Sequence, residues 1–303
     1  MPSTAQPFKT IAVNSGCQSF GIAAALGALF PAAVVTPQPL SAQWDDADQE
    51  RTCALHLADQ DVWVSSSHTG LLEKHLGSSQ RRPRLITVPV IGFSAFHPDI
   101  CYAAKQSTGE LTVHHYNSAI AVWAYRHRVL PEDAQRLFNA RVFRELGYFN
   151  EWNANVRALR QAFSDSALKA HFDTFFLHIQ RTGNFMHSGN HPKIHVLVRL
   201  AQTIALELGS PPDILSQHIE PDDFLSQASW PVYPEVARSL SIPGGSYRWK
   251  INAHTRLDSV QAYIDFAYHA YQQQGIAPED IGMYNRDEAL FDRVLGTALG
   301  HTP

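Results

Sequence analysis

Cys17 is the first residue of this sequence whose type and position suit covalent chemistry. It stands in Ser15-Gly16-Cys17-Gln18, between an apolar run at residues 10–13 and a helical pattern that begins at residue 18. A strand-to-helix turn lies at the carboxyl edge of a parallel sheet, and the N–H groups of the helix start favour a thiolate and can stabilise an oxyanion. Cys17 is therefore a candidate nucleophile. The alternative is a small apolar side chain packed under the sheet, as free cysteines often are.

His97 and Asp99 are the second candidate pair. The predicted strand 85–91 runs into Gly92, and His97-Pro98-Asp99 follows at the same sheet edge. Histidine is the usual general base near neutral pH, and a nearby carboxylate can orient the imidazole and stabilise its charged form. The alternative is an ordinary turn in which Asp99 caps the next helix and His97 is exposed.

His191 precedes a long amphipathic pattern. Pro192 suits the first position of a predicted helix 192–208, which places the histidine at the helix start. The positive end of a helix lowers the pKa of such an imidazole and favours its neutral, proton-accepting form. One alternative is a capping histidine without chemistry. Another is a metal site with His187 and His195, against which Pro192 argues because it interrupts a continuous helix.

The elements that must position these residues alternate between strands and helices over the first 125 residues. Strands are predicted at 10–13, 33–36, 61–65 and 85–91, and helices at 18–29, 43–58 and 69–76. Beyond residue 131 the pattern is almost entirely helical, with helices predicted at 151–163, 166–181, 192–208, 233–240, 259–273 and 278–295. These patterns predict the α/β class, with a mostly parallel sheet flanked by helices (1–125) and a large C-terminal helical lobe (126–303) packed on it. No linker is polar enough to separate the two parts, so we expect one integrated domain.

Composition narrows the class of protein. The 303 residues are 45% hydrophobic, enough for a large buried core, and 24 basic against 28 acidic residues give a net charge of −4. The chain therefore lacks the strong positive field of proteins that bind nucleic acid or anionic membranes. Its three cysteines form neither a disulfide framework nor a zinc pattern, and no apolar run reaches the length of a membrane span. We expect a protein of a reducing compartment, the cytoplasm.

Three of these segments together resemble one family. The sequences SGCQ after the first strand, PVIGFSAFHPD at the fourth and NHP before the long helix are similar to the motifs of the WcbI-type polysaccharide biosynthesis acetyltransferases, over about residues 11–208. The resemblance implies a coenzyme A-dependent O-acetyltransferase that acts on a sugar hydroxyl of a capsular or other surface polysaccharide, on a body distantly similar to SGNH hydrolases. That family usually has Gly-Asn-Cys-Gln where this chain has Ser-Gly-Cys-Gln, so the polar residue before the cysteine is missing.

With that reaction as the hypothesis, we predict roles for individual residues. Four would be catalytic: Cys17, His97, Asp99 and His191. Three would stabilise the oxyanion: Gln18, Gly92 and Asn117. Nine would contact coenzyme A: Ser15, Gly16, Lys74, Arg81, Arg84, Arg126, Arg128, Asn190 and Lys193. The phosphates of coenzyme A require a basic cluster, either near residues 74–84 or near residues 126–144. The alternative for each group of cations is a solvated face, and the alternative for Asn117 is an ordinary loop.

Two mechanisms remain open at this point. Either Cys17 attacks the thioester of acetyl-coenzyme A and passes the acetyl group to the sugar, or a histidine deprotonates the sugar hydroxyl directly and Cys17 only shapes the pocket. A thioesterase or esterase, with water in place of the sugar, would use the same residues. A protein that binds coenzyme A or a glycan without turnover is a further alternative. The implied partners are acetyl-coenzyme A, a sugar or polysaccharide acceptor and other capsule-biosynthesis enzymes, with no metal and no nucleic acid.

An acceptor pocket for a sugar needs exposed aromatic faces and hydrogen-bonding groups. Five aromatic residues are candidates for it: Phe93, Phe96, Tyr102, Trp123 and Trp152.

Overall fold

The computed structural model describes residues 8–38, 47–77, 81–114, 116–221 and 228–300. Its strands are β1 (Thr10–Asn14), β2 (Val34–Pro37), β3 (Val62–Ser65), β4 (Arg84–Thr87), β5 (Ile100–Lys105), β6 (Asn117–Ser118), β7 (Trp249–Lys250), β8 (Arg256–Leu257) and β9 (Ile281–Tyr284). Its α-helices are α1 (Ser19–Leu29), α2 (Ala47–Ala58), α3 (Leu71–His75), α4 (Ala119–Arg126), α5 (Pro131–Ala134), α6 (Ala140–Glu145), α7 (Glu151–Ser164), α8 (Phe172–Gln180), α9 (Ile194–Glu207), α10 (Pro234–Ser239), α11 (Val260–Gln273) and α12 (Glu288–Ala298).

These elements form two compact units, each made of three chain segments. Within the described residues, the first unit comprises Met1–Gly92, Arg157–Phe185 and His191–Phe224. The second comprises Phe93–Val156, Met186–Asn190 and Leu225–Pro303. The division therefore differs from the predicted boundary at residue 125, because later helices such as α8 and α9 belong to the unit that contains the parallel sheet.

A parallel sheet in the order β2-β1-β3-β4 forms the centre of the first unit. Ile11, Ala12 and Val13 of β1 are completely buried, as expected for a central strand with both faces covered. The side chains of β2, at the edge, are partly exposed. The predicted α/β class is confirmed, and all four predicted strands are present, although β4 ends at Thr87 rather than at residue 91.

The starts of helices α1 and α9 lie against each other in the first unit. Gly21 makes this approach possible, because a Cβ atom there would lie 2.4 Å from Cδ1 of Leu197 and 3.3 Å from Cδ1 of Ile194. Helix α9 begins at Ile194 with Lys193 as N-cap. It therefore starts two residues later than predicted, and Pro192 precedes the helix.

An antiparallel sheet in the order β6-β5-β9 belongs to the second unit. Its register sets Tyr102 of β5 opposite Tyr284 of β9. Helix α4 follows β6 directly, and its N-cap Ser118 accepts a hydrogen bond from the N–H of Ala121 at 3.1 Å. The sheet and this helix together surround the turn at residues 97–100, which leads into β5.

The prediction of one helix at residues 278–295 is wrong. Strand β9 occupies the middle of that range and α12 begins only at Glu288. Pairing with β5, a strand that the sequence pattern did not indicate, overrides the local helical pattern. The other predicted helices are present with shifted ends, although 166–181 is divided into a 3-10 turn and α8. Residues 43–46 of the helix predicted at 43–58 lie outside the described residues.

Candidate active site

The turn that carries Cys17 joins β1 to α1. Gly16 has a φ of +50°, a left-handed conformation that glycine adopts without strain. The N–H groups of Gln18 and Ser19 close the turn by donating to the carbonyls of Ser15 and Gly16, at 3.0 and 3.2 Å. The sequence predicted this strand-to-helix turn, and the structure places Cys17 in it with its side chain exposed.

Cys53 and Cys101 differ from Cys17 because both are buried. Cys53 packs with Leu57 and Trp63 in a hydrophobic cluster of the first unit. Burial raises the pKa of the Cys53 thiol and that of the Cys101 thiol. Their surroundings favour the packing role that free cysteines often have.

The connections of the parallel sheet diverge next to the Cys17 turn. The chain goes from β1 to β2 on one side and returns to β3 on the other, and open α/β sheets bind ligands at such a point. Asn14 ends β1 here, and its Nδ2 donates to Oγ of Ser65 at 3.1 Å and to the carbonyl of Ser67 at 3.3 Å. Cys17 is therefore exposed at the edge where this class of sheet binds ligands.

A surface cavity of about 670 Å³ opens at the same edge of the first unit. Gln38, which follows β2, lines it and donates from its N–H to the carbonyl of Val13 at 2.7 Å. The remaining lining residues are Asp48, Gln49, Thr52, Cys53 and His56. Among the described residues that line it, none is an arginine or lysine and one is the acidic Asp48, so this part of the cavity does not suit a phosphate.

His191 approaches the same end of the α1–α9 pair. Cys17 precedes Gly21 by four residues, His191 precedes Ile194 by three, and Gly21 and Ile194 lie in close contact. Burial lowers the pKa of the His191 imidazole, so its neutral, proton-accepting form predominates at neutral pH. The direction of the shift agrees with the prediction. Its cause is burial rather than a helix start, since α9 begins beyond His191.

His97 stands at the first position of a tight turn in the second unit. The N–H of Ile100 donates to the His97 carbonyl at 3.1 Å, and Pro98 takes the second position, which proline favours. Nδ1 of His97 lies 3.2 Å from the carbonyl oxygen of Pro231. A carbonyl only accepts hydrogen bonds, so Nδ1 carries the proton in the neutral ring and Nε2 has the lone pair that a general base uses.

The carboxyl group of Asp99 is buried and heavily hydrogen bonded. Tyr148 donates to Oδ1 at 2.8 Å, Tyr233 donates to Oδ2 at 2.7 Å, and the N–H of Ile120 donates to Oδ1 at 3.2 Å. Burial raises the pKa of Asp99, and hydrogen bonds from Ser118, the two tyrosines and Ile120 oppose that rise. These contacts favour the alternative in which Asp99 anchors the turn to the next helix, α4.

Gly92 is the predicted oxyanion residue that lies beside the Cys17 turn. The Gln18 side chain donates from Nε2 to the carbonyl of Ile91 at 2.9 Å, and its Oε1 accepts from the Ile91 N–H at 3.1 Å. Gly92 follows Ile91 directly. The backbone N–H of Gln18, in contrast, already donates within the turn, so the geometry does not support its predicted oxyanion role.

The predicted oxyanion role of Asn117 is also unsupported. Its Nδ2 donates to Oγ1 of Thr112 at 2.9 Å and to the carbonyl of His114 at 3.0 Å, while Oδ1 accepts from Tyr271 at 2.9 Å. Both N–H bonds of this buried amide are used within the second unit, so Asn117 holds a loop in place.

Arg81 and Arg84 lie at the amino edge of the parallel sheet. Arg84 begins β4 and donates from Nη2 to the carbonyl of Glu207 at 2.5 Å, at the C-terminus of α9. Arg81 pairs with Asp61, which directly precedes β3. Cys17 lies at the opposite edge of the sheet, so the structure does not bring these cations next to it, and their role toward coenzyme A stays a prediction. Lys74, in α3, pairs with Glu50 at 2.6 Å.

The cations predicted beyond residue 125 also have partners within their own units. Nη1 of Arg126 contacts Glu288 at 3.0 Å, and Nη2 of Arg128 contacts Glu279 at 2.8 Å, both within the second unit. Lys193, in the first unit, donates from Nζ to the carbonyl of Asn184 at 2.6 Å. A role for them toward coenzyme A stays a prediction.

Asn190 joins two half-buried tyrosines on the second unit. Its Oδ1 accepts from the Tyr116 hydroxyl at 2.5 Å, and its Nδ2 donates to the Tyr102 hydroxyl at 3.1 Å. The two rings lie 5.9 Å apart. Of the predicted aromatic residues, Phe93, Phe96 and Trp123 are buried in the core. Tyr102, Tyr116 and Asn190 therefore form a partly exposed surface, named here the tyrosine surface.

Three residues that hold the His97 turn were not predicted from the sequence: Tyr148, Tyr233 and Arg286. Tyr148 and Tyr233 contact Asp99, and Arg286 contacts the main chain on either side of it. No local motif marks these residues, because they come from distant parts of the chain.

Across the described ranges, no group of three or more histidine, cysteine, aspartate or glutamate side chains is arranged to hold a metal ion. No helix in those ranges has the length and apolar character needed to cross a membrane.

An open parallel sheet with an exposed thiol where its connections diverge defines an α/β protein with a candidate nucleophile. A solved structure with this fold aligns over 97% of this chain and 99% of its own, with a TM-score of 0.66 and 14% identity. It is described as WcbI, a novel polysaccharide biosynthesis enzyme, in a native form without a disulfide bond between coenzyme A and a cysteine. The family model of the polysaccharide biosynthesis enzyme WcbI matches residues 10–213.

The chain therefore belongs to the WcbI family of polysaccharide biosynthesis enzymes, and the resemblance in its three motifs is confirmed. No curated protein sequence matches it.

Proposed function

We propose that this enzyme transfers an acetyl group from acetyl-coenzyme A to a sugar hydroxyl in the synthesis of a surface polysaccharide. The observation that carries the proposal is the exposed Cys17 thiol at the ligand-binding edge of the parallel sheet. Two further facts support it: membership of the WcbI family, and the WcbI relative described by reference to a bond between coenzyme A and a cysteine. Acetyl-coenzyme A supplies an acetyl group activated as a thioester.

In the covalent version, Cys17 is the nucleophile. Its sulfur forms a bond to the acetyl carbonyl carbon, the bond from that carbon to the coenzyme A sulfur breaks, and the departing thiolate takes up a proton. The N–H of Gly92, beside the Cys17 turn, is our candidate donor to the oxyanion. His191, kept neutral by burial, accepts the proton of the Cys17 thiol.

His191, which belongs to the same unit as Cys17, is the proposed base for the acceptor as well. The departing coenzyme A thiolate takes its proton, and the neutral imidazole then accepts the proton of the sugar hydroxyl while the sugar oxygen bonds to the acetyl carbon and the bond from that carbon to the Cys17 sulfur breaks. In the direct version, the sugar oxygen attacks the thioester itself, His191 accepts the same proton, and Cys17 only shapes the site. A catalytic role for His97 stays a prediction.

The tyrosine surface is the proposed contact for the sugar acceptor. Sugar rings pack their C–H faces on aromatic rings and use amide groups as hydrogen-bond partners. Tyr102 and Tyr116 provide adjacent rings, and Asn190 is exposed between their hydroxyl groups. Tyr284, the register partner of Tyr102, is 46% exposed and extends the aromatic area along β9.

Thermal melts with coenzyme A and acetyl-coenzyme A test the donor half of the proposal. We expect both ligands to raise the melting temperature of the native chain, by mass action on the folded state. Peptide mass analysis of the chain after incubation with acetyl-coenzyme A alone then distinguishes the two versions. Acetyl on Cys17, absent from Cys17→Ser, supports the covalent version, whereas turnover by Cys17→Ser supports the direct one.

Two results would contradict the proposal. A melting temperature that does not respond to millimolar coenzyme A would exclude the donor. Acetyl-coenzyme A consumption that no added sugar or polysaccharide fraction stimulates would indicate a thioesterase that uses water in place of the acceptor.

A further inference from the structure

Arg128 occupies a position in the second unit that usually belongs to glycine. It follows the C-cap of α4, and its φ of +56° lies in the left-handed region that side chains with a Cβ atom disfavour. The N–H of Arg128 donates to the carbonyl of Tyr125 at 3.0 Å, and the N–H of Val129 donates to that of Ala124 at 2.9 Å. This is the Schellman motif, in which glycine is the usual left-handed residue. Non-glycine residues held in this conformation concentrate at ligand sites, which points to a use for the side chain.

The Arg128 side chain contributes little to the fold. It is exposed, and its Nη2 meets the carboxylate of Glu279, which is also exposed, at 2.8 Å. Exposed ion pairs stabilise proteins only slightly, because water competes with them and two long side chains lose freedom. Neither the backbone motif nor this ion pair therefore explains an arginine in place of a glycine.

Arg128 lies where two surface cavities of the second unit meet. Arg128, Val129 and Leu130 line both cavities, whose volumes are about 520 and 420 Å³. Both volumes are in the range of ligand pockets. Leu130 is 58% exposed between them, so a chain of sugars can pass from one cavity to the other over the shared residues.

The larger cavity, named here the arginine cavity, has a basic lining. Arg136 and Arg141 line it together with Arg128, and Asp133 is the one acidic residue among the described residues of the lining. Nη1 of Arg136 meets Asp133 and Nε of Arg141 meets Glu145, both at 3.0 Å. Each guanidinium keeps further N–H groups for a ligand, and arginines recognise carboxylate and phosphate oxygens through such groups. The whole chain has more acidic than basic residues, so three arginines in one cavity depart from its average surface.

The smaller cavity, named here the α11 cavity, combines polar side chains with aromatic rings. Asp265, His269 and Gln272 line it from one face of α11, since they are four and three residues apart, and all three are exposed. Tyr125 and Tyr268 also line it, with ring centroids 5.0 Å apart, and their hydroxyl groups donate to main-chain carbonyls. Aromatic rings beside a few polar groups suit a sugar, which has C–H faces and hydroxyl groups.

We propose that the two cavities together bind an acidic saccharide chain, with its carboxylate or phosphate groups on the arginines and a neighbouring sugar ring in the α11 cavity. This inference rests on the proposed function, in which a surface polysaccharide is the acceptor. It adds a holding site for the polymer, made of different residues from the tyrosine surface. A second contact with the same polymer raises the effective concentration of acceptor sugars.

Calorimetric titration of the full chain tests the class of ligand. The probes are a uronic acid oligosaccharide and a phosphorylated oligosaccharide, compared with a neutral oligosaccharide of the same length, inorganic phosphate and coenzyme A. We expect at least one acidic oligosaccharide to bind more tightly than the neutral one and than inorganic phosphate, and to bind more weakly at high salt. Inorganic phosphate that binds as tightly as either acidic oligosaccharide would show a phosphate site and overturn the saccharide assignment.

Arg128→Gly separates binding from folding, because the two expected effects have opposite signs. Glycine removes the cost of the left-handed backbone, so the melting temperature should rise by about 1–3 °C, while affinity for the acidic oligosaccharide falls about tenfold. Affinity for coenzyme A should not change. Ser241→Gly is the matched control, since Ser241 has a φ of +54° and donates in the same hydrogen-bond pattern after α10, but lines neither cavity. It should raise the melting temperature and leave the affinity unchanged.

Arg136→Gln tests the arginine cavity at a residue without backbone strain. Its matched control is Arg238→Gln, because Arg238 is equally exposed in the same unit and pairs with Glu235 three residues earlier, as Arg136 does with Asp133. We expect Arg136→Gln to weaken binding of the acidic oligosaccharide about tenfold and Arg238→Gln to leave it unchanged.

Three results would overturn the inference: no binding of either acidic oligosaccharide at millimolar concentration, an affinity that Arg128→Gly and Arg136→Gln leave unchanged, or a neutral oligosaccharide that binds equally well. Failure of the proposed function gives a different pattern. Coenzyme A would then not raise the melting temperature of the native chain, while the calorimetric response to the acidic oligosaccharide and its loss in Arg128→Gly would remain.

Discussion

Gln18 and Ile91 are joined by two hydrogen bonds, in which the side-chain amide of one residue pairs with the main chain of the other. Oε1 of Gln18 accepts from the Ile91 N–H at 3.1 Å, and Nε2 donates to the Ile91 carbonyl at 2.9 Å. The pair fixes the segment that leads to Gly92 against the turn that carries Cys17. Both ends of the Gln18 amide are used in this link, so its loss affects both elements.

Replacement of Gln18 by Leu should destabilise the chain. Leu has a similar size but would leave the buried N–H and carbonyl of Ile91 unpaired, which costs about 1–3 kcal/mol. Urea unfolding measures the change, with Gln60→Leu as the control, since Gln60 is partly exposed and its side chain donates to the carbonyl of His56, one helical turn earlier. Equal stability of the two variants would show that the Gln18–Ile91 pair contributes nothing.

Two glycines of α1 should respond to alanine with opposite signs. Gly21→Ala places a methyl group 2.4 Å from Cδ1 of the buried Leu197, so we expect a loss of about 1–3 kcal/mol from overpacking. Gly27→Ala meets no atom within 4 Å and should stabilise the helix by about 0.5–1 kcal/mol. Chemical denaturation of both variants measures the difference, and a gain in stability for Gly21→Ala would mean that α9 can move away from α1.

Loss of a tyrosine hydroxyl next to Asp99 should have a pH-dependent effect. Burial raises the pKa of Asp99 above its value of 3.8 in the unfolded chain. Ionisation of this carboxyl group therefore lowers the free energy of unfolding as the pH rises from the unfolded pKa to the folded pKa. The Tyr233 hydroxyl opposes that effect by donating to the charged form. We therefore expect Tyr233→Phe to lower the free energy of unfolding more at neutral pH than at pH 4.

Tyr125→Phe is the matched control for this prediction. The Tyr125 hydroxyl is also within the second unit, but it donates to a neutral acceptor, the carbonyl of Ile276, at 2.8 Å. Its loss should cost about 0.5–1.5 kcal/mol with little dependence on pH in this range. If the free energies of unfolding of Tyr233→Phe and Tyr125→Phe change in the same way with pH, Asp99 stays protonated throughout this range.

The three thiols should differ sharply in reactivity. Cys17 is exposed, whereas burial raises the pKa of Cys53 and of Cys101, and the thiolate is the reactive form. A thiol reagent should therefore modify Cys17 alone in the folded chain and all three cysteines after denaturation. Peptide mapping identifies the site, and Cys17→Ser should abolish the fast phase. Fast modification of Cys53 in the folded chain would contradict the assignment.

The region around Cys17 could be predicted because its signals are local. An apolar run, a break containing glycine and a second apolar pattern lie within one short stretch, and they indicate a strand, a turn and a helix in that order. The edge of the sheet at which Arg84 lies could also be predicted from the sequence. Arg84 directly precedes the fourth apolar run, and the start of a parallel strand lies at the edge opposite to the Cys17 turn.

The residues that hold His97 could not be predicted, because they act through long-range pairing. Arg286 contacts Pro98 and Ile100 across more than 180 residues of sequence, and it recognises carbonyl groups that every residue has. Its position depends on β9, which the local pattern indicated as helix. Tyr233 contacts Asp99 over a separation of 134 residues. A single sequence has no periodicity that reports such contacts.

The segments of the two units alternate along the chain, so one strand pair of the second unit is completed only late in synthesis on the ribosome. Strand β5 is complete by residue 105, but its partner β9 is synthesised only after about 180 further residues. At typical elongation rates this interval is on the order of ten seconds or more. One edge of β5 stays unpaired for that time, and unpaired edges are sites of aggregation. Nascent chains of this enzyme should therefore depend on chaperones until their last strand has been made.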